Sequence, residues 1–183
     1  MTAAVAEPAP LHRSSLARLA RWRVPLGFVF GILAVALSHP TPASLISGAI
    51  VGVCGEAVRI WAAGHLEKGR EVTRSGPYRW TRHPLYAGSS IMGVGLAIAS
   101  HSLTVTVLVV GYLAVTISAA IRTEEAHLTE KFGFEYGAYR QGTAAPVVRR
   151  FSAARAIRNR EYRAALGLVV VLAILALRSR GVL

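Results

Sequence analysis

Two clusters hold most of the residue types that chemistry uses. The first, "TRSGPYRWTRHPLYAG" from Thr73 to Gly88, packs three arginines, a histidine, three aromatic rings and two prolines together. The second, "IRTEEAHLTEKFGFEYGAYR" from Ile121 to Arg140, carries the adjacent carboxylates Glu124 and Glu125 and the rings of Phe132, Tyr136 and Tyr139. Such side chains bind anions, move protons and offer aromatic faces to cations.

Pro84 suits the first turn of a helix, where an N–H has no helical partner, so His83 falls at the cap and Tyr86 within the first turn. A helix start favours carboxylate or phosphate. The plainer roles are a cap or headgroup contact for His83 and an interfacial aromatic belt for Tyr78, Trp80 and Tyr86. In the second cluster Arg122 stands three residues before Glu125, on one helical face, where a surface ion pair at a solvated helix end is the plain reading. Phe132, Tyr136 and Tyr139 fit an amphipathic interfacial helix.

Familiar soluble-enzyme motifs are absent: no HExxH, no GxSxG and no phosphate loop ending in Gly-Lys-Ser/Thr. Cys54, the single cysteine, lies in an apolar run, so neither an intrachain disulfide nor a cysteine-built zinc site is available, and no metal site is expected.

The elements that must position these clusters read as membrane helices. The 183 residues are 53% hydrophobic and 16% charged, with a mean hydropathy of +0.44. Five apolar runs stand out, roughly 22–38, 43–64, 84–100, 103–121 and 164–177; the second and fourth have the ~20 residues that cross about 30 Å of hydrocarbon. The third is interrupted by Gly88, Gly93 and Gly95, and the fifth is short unless tilt or snorkelling extends it. The expected fold is all-α: one integral membrane helical bundle over residues 1–183, with about five transmembrane helices and cytoplasmic connecting segments. Residues 1–21 form a basic cytoplasmic segment, and 65–150 hold the motif region. The arginines before the first run resemble a signal peptide, but the later apolar runs favour a retained helix.

Lys and Arg outnumber Asp and Glu 21 to 9, giving a net charge of +12. In a soluble chain this suggests nucleic acid; flanking apolar runs, it points to anionic lipid headgroups instead. The arginines precede the first run and fill 67–82 and 122–163, so the positive-inside rule puts both clusters in the cytoplasm, in a bacterial-type plasma (inner) membrane. A two- or three-residue connection makes the third and fourth helices antiparallel and brings the clusters together. Gly48 and Gly52, like Gly27 and Gly31, have the spacing that lets helices approach closely, with an oligomer interface as the alternative. Glu56 and Arg59, one turn apart in the second run, are expected to pair or to line a cavity.

With "VTRSGPYRWTRHPLYAG" and "EEAHLTEKFGFEYGAY" in that order, the stretch 72–139 resembles the isoprenylcysteine carboxyl methyltransferase family and its wider group, which includes phospholipid N-methyltransferases. The matching pattern is Gly-Pro-Tyr, then Arg-His-Pro-x-Tyr-x-Gly, then Glu-Glu, Leu, Phe-Gly, Tyr and Tyr. The resemblance implies an S-adenosylmethionine site at the helix ends. His83, Pro84, Leu85 and Tyr86, with Tyr78, would contact the cofactor, Glu124 would close the pocket, and Ile91 and Leu96 would form apolar walls.

Two positions depart from the pattern. Tyr139 leads into "RQGTAAPVVRRF" instead of an Arg-Val-Pro-like segment, and the substrate-contacting arginine expected four residues before Glu124 is Ala120. Arg122 is the candidate replacement, although two residues turn it about 200° around a helix. Arg122 and Glu125 are therefore the candidate catalytic residues.

The resemblance implies methyl transfer to the carboxylate or thiol of an amphiphilic, lipid-like or prenylated substrate. Phospholipid amines and small thiols are the alternatives. A non-catalytic lipid-binding scaffold and a transporter are the rivals from other classes; the short chain shows no internal repeat to support the transporter.

Overall fold

A computed structural model describes residues 27 and 29–182. It is a bundle of helices, with no strand among the described residues. Residues 29–36 are helical (α1). They are followed by α2 (Pro42–Ala63), a 3₁₀ turn (Gly76–Arg79), α3 (Pro84–Ser100), α4 (Leu103–Arg140), the short α5 (Ala153–Arg158) and α6 (Tyr162–Ser179). The expected basic segment 1–21 and the start of the first apolar run lie outside the described residues.

Three helices, α2, α4 and α6, are long and apolar enough to cross a membrane, while α3 is a shorter apolar helix of 17 residues. The fifth run, short on sequence, thus extends to an 18-residue helix. The chain is an integral membrane helical bundle.

Local sequence explains the boundaries. Thr41 and Ser44 cap α2 reciprocally, with Ser44 N donating to Thr41 Oγ1 at 3.1 Å and Thr41 N to Ser44 Oγ at 2.9 Å. At the far end of α3, His101 takes a left-handed conformation (φ 48°), and Ser102 accepts from Val105 N to start α4. Two residues therefore make the turn between these helices.

Glycines set the packing of α2 on α3. A Cβ on Gly55 would meet the Met92 backbone N at 2.5 Å, and one on Gly88 the Arg59 side chain at 2.5 Å. Close backbone approach substitutes here for the hydrophobic drive that lipid cannot supply. The glycines read as interruptions of the third run thus sit in an unbroken helix and serve as its contact face.

The carboxyl ends of α2 and α1 are tied off by distant side chains. Asn159 Nδ2 donates to Ala63 O (2.8 Å) and Leu66 O (2.9 Å), and Arg155 Nη1 to Gly64 O (2.5 Å), satisfying carbonyls that a helix end leaves free. Arg178 donates to Ser38 O and Ala36 O, both at 2.9 Å, joining α6 to the end of α1.

Candidate active site

The first cluster is a turn built around one glycine. Gly76 has φ +57°, and a Cβ there would lie 2.5 Å from the His65 ring, so the chain turns over that imidazole. Pro77 then starts the 3₁₀ turn and Tyr78 is buried. Tyr78 O accepts from Tyr139 Oη at 2.7 Å, which ties the turn to the end of α4. Burial raises the Tyr78 phenol well above its ordinary range, and the Glu124 carboxylate adds to the effect.

His83 caps α3 through its backbone and makes no side-chain cap bond, which leaves its ring free. Its Nε2 lies 3.1 Å from Glu125 Oε1, and Arg82 Nη1 lies 2.9 Å from the same oxygen. One carboxylate from the second cluster therefore gathers a guanidinium and an imidazole from the first. Arg74 Nη2 to Glu135 Oε1 (3.1 Å) adds a second bridge.

Between the clusters lies a cavity of about 530 Å³ at the arginine-rich end of the bundle. Tyr78, His83, Pro84, Leu85, Tyr86 and Glu124 all line it, as do Tyr136, Tyr139 and Ala120. Glu124 has no hydrogen-bond or ion-pair partner among the described residues. Glu125 is not on the lining and acts from behind, through Arg82 and His83.

Three sequence-based assignments fall elsewhere. Ile91 is exposed on α3, which by that point has run away from the cavity and turned its side chain outward. Leu96 lies further along α3 and lines a different, apolar cavity. Arg122 is exposed, off the lining, and makes no ion pair among the described residues; Glu125 turns to Arg82 and His83 instead, so the expected pairing along the helix gives way to one across the site.

Comparison with known proteins accords with this geometry. The family model for phospholipid methyltransferases matches residues 58–135. A nickel-cobalt-cadmium resistance protein, NccN, of Alcaligenes xylosoxydans xylosoxydans is 30% identical over 152 residues, covering 78% of this chain and 70% of the relative. The chain belongs to the phospholipid methyltransferase family. That family is part of the isoprenylcysteine carboxyl methyltransferase type of membrane methyltransferases. A cobalt-zinc-cadmium resistance protein, CzcN, of Cupriavidus metallidurans is 31% identical over 135 residues, covering 70% of this chain and 62% of the relative. No solved structure shows a significant match.

The phospholipid methyltransferase match ends before several side chains that help to shape this site. Leu66 to Gly69 and Glu71 to Thr73 form one wall of the cavity, and most of the side chains that hold this wall come from residues 149–159. Arg155 Nε contacts Glu67 Oε1 at 2.7 Å and Arg149 Nη1 contacts Glu71 Oε1 at 2.6 Å. The hydrogen bond from Arg155 holds the Glu67 carboxyl below its ordinary value of 4.5. Nothing in the local sequence of 67–74 marks this wall, because the arginines that hold it lie about 80 to 90 residues away.

Arg59 organises the helices on the other side of the cavity. Its Nε lies 2.6 Å from Glu161 Oε1 and 3.6 Å from Glu56 Oε2, while Nη1 donates to Ser89 Oγ and to Leu85 O (3.4 Å). The expected Glu56–Arg59 pair is present but is the looser of two. Arg59 and Ser89 also stand at one end of the apolar cavity, of about 330 Å³, lined by Phe30, Met92, Leu108, Tyr112, Val171 and Leu175 among others. Ser89 Oγ donates to Leu85 O, one turn along α3, and Leu85 lines the first cavity, so the two linings come within one helical turn of each other.

Proposed function

We propose that this chain is an S-adenosylmethionine-dependent methyltransferase acting on the carboxylate or thiol of an amphiphilic, lipid-like substrate. The observation that carries this reading is the pair of cavities, one the more polar and ringed by tyrosines, the other apolar and within the bundle, with linings one helical turn apart at Leu85 and Ser89.

The polar cavity suits the cofactor by size, since pockets of about 300–1,000 Å³ hold such molecules. Its chemistry suits it too. Tyr78, Tyr86, Tyr136 and Tyr139 offer ring faces or hydroxyls on the lining, and aromatic faces attract a cation. Glu124, without a side-chain partner among the described residues, is placed to accept hydrogen bonds from an ammonium or ribose hydroxyl. S-adenosylmethionine supplies an electrophilic methyl group on a sulfonium cation.

The work left to the protein is alignment and exclusion of water, and holding two reactants in line supplies several kcal/mol of rate enhancement. An ionised carboxylate or thiolate needs no general base, and the site fits that economy, because Glu125 is already engaged by Arg82 and His83. A phospholipid amine is the second reading. The family match favours it, and Glu124 is then the carboxylate placed to take the proton that an ammonium must lose.

The arginine-rich end faces the cytoplasm on this reading, with the cofactor entering there and the acceptor from the bilayer of the plasma (inner) membrane. Exposed Arg79, Arg140, Arg150 and Arg160 then meet anionic headgroups. The metal-resistance titles of the relatives mark the setting in which to look for the acceptor.

Calorimetric titration of the detergent-purified protein with S-adenosylhomocysteine tests the reading. Saturable binding that weakens at least about tenfold in Glu124→Ala is expected, a charge-assisted contact being among the stronger ones. A folded wild type that binds none overturns it and leaves a non-catalytic lipid-binding scaffold.

A further inference from the structure

The cavity wall from Leu66 to Thr73 is held in an alternating pattern. Glu67 is gripped by Arg155 at 2.7 Å and Arg158 at 3.2 Å. Gly69 O accepts from Lys131 Nζ at 2.7 Å. Glu71 is gripped by Arg149 at 2.6 Å, and Arg149 also donates to His65 O at 3.2 Å. The wall is therefore pinned at 67, 69 and 71 by side chains from α4 and from the segment beyond the family match.

Lys68 lies between these pins. It lines the cavity, yet it makes no hydrogen bond and no ion pair among the described residues. The other full cation on the lining, Arg82, is engaged by Glu125, as is His83. The cavity thus presents one unengaged carboxylate, Glu124, and one unengaged ammonium, Lys68. The lining also holds the imidazole of His127.

This charge pattern is the complement of a zwitterion. Glu124 matches an ammonium, and an amino-acid carboxylate needs a cation that no other contact has already neutralised. We propose that Lys68 binds the carboxylate of the cofactor's amino-acid head, on a wall positioned by Arg149, Arg155 and Arg158. The inference rests on the methyltransferase reading above. It assigns a binding role to a loop residue outside both motifs and a positioning role to arginines outside the matched region.

The test uses two ligands. S-adenosylhomocysteine has the amino-acid head, whereas 5′-methylthioadenosine keeps the nucleoside and thioether and lacks that head. Lys68→Met is expected to weaken S-adenosylhomocysteine by about tenfold, the scale of a lost charge-assisted contact. It should leave 5′-methylthioadenosine unchanged, and Lys68→Arg should restore most of the loss. Equal loss for both ligands means that the wall has shifted, and overturns the assignment. So does wild-type affinity in Lys68→Met, or a head-selective loss in His127→Gln in its place. A wild type that binds neither ligand removes the methyltransferase reading itself; binding of both with no Lys68 effect removes this assignment alone.

Discussion

Glu125 Oε1 and His83 Nε2 meet at 3.1 Å although 42 residues separate them in sequence. The contact joins the first turn of α3 to the far half of α4, so the site exists only when both helices stand at the right angle to each other. With side chains 14% and 28% exposed, the pair is partly screened and contributes only modestly. In a double-mutant cycle, His83→Ala and Glu125→Ala should each weaken S-adenosylhomocysteine severalfold, with a coupling of about 0.5–1 kcal/mol. Additive effects in calorimetry would show that Glu125 does not act through His83.

Arg59 carries a larger load. Its guanidinium faces Glu161 at 2.6 Å and Glu56 at 3.6 Å, and both carboxylates are buried. Arg59→Met leaves both without a cation, and breaking a buried pair from one side costs about 3–5 kcal/mol. Glu161→Gln should cost less, because Arg59 keeps Glu56, Ser89 and Leu85 O. Thermal unfolding in detergent gives the order; a Glu161→Gln variant less stable than Arg59→Met would contradict this account of the network.

The helix interface yields a pair of opposite signs. Gly55→Ala places a Cβ 2.5 Å from the Met92 backbone N, where no side-chain rotation gives relief. Overpacking of this kind costs about 1–3 kcal/mol. At Gly111 a Cβ has nothing within 4 Å, and alanine there gains up to about 1 kcal/mol of helix propensity. Melting midpoints of the two variants should therefore move in opposite directions from wild type.

Much of this architecture was legible because it is local. Apolar run length gave the spanning helices, Pro84 gave the start of α3, and the short connection at His101 and Ser102 brought the two clusters together. What sequence could not show was long-range choice. Arg59 has a carboxylate one turn away at Glu56, yet its closer partner is Glu161, 102 residues on. Arg122 has Glu125 at ideal helical spacing and loses it to Arg82 and His83. Periodicity says which residues share a face; it does not say which neighbouring helix competes for them. The same limit applies to Ile91 and Leu96, whose orientation depends on where the cavity ends along α3.

Acid should loosen the wall of the cavity, and the sign follows from His65. The imidazole is buried under Gly76, with Nδ1 3.1 Å from Ser75 Oγ. Burial first, then the charges of Arg155 and Arg149, push its pKa below the ordinary 6.5. The folded protein therefore keeps His65 neutral where the unfolded chain already binds a proton. Its stabilisation is complete above about pH 6.5 and is lost as pH falls from there through the lower folded value. Glu67, also depressed, keeps its own contribution until pH drops below 4.5, so the two losses separate. Melting midpoints should fall between about pH 7.5 and about pH 5.5 in wild type and fall less in His65→Gln, which keeps a hydrogen-bonding side chain without a titrating ring. Identical slopes for the two proteins would assign the acid response to other groups.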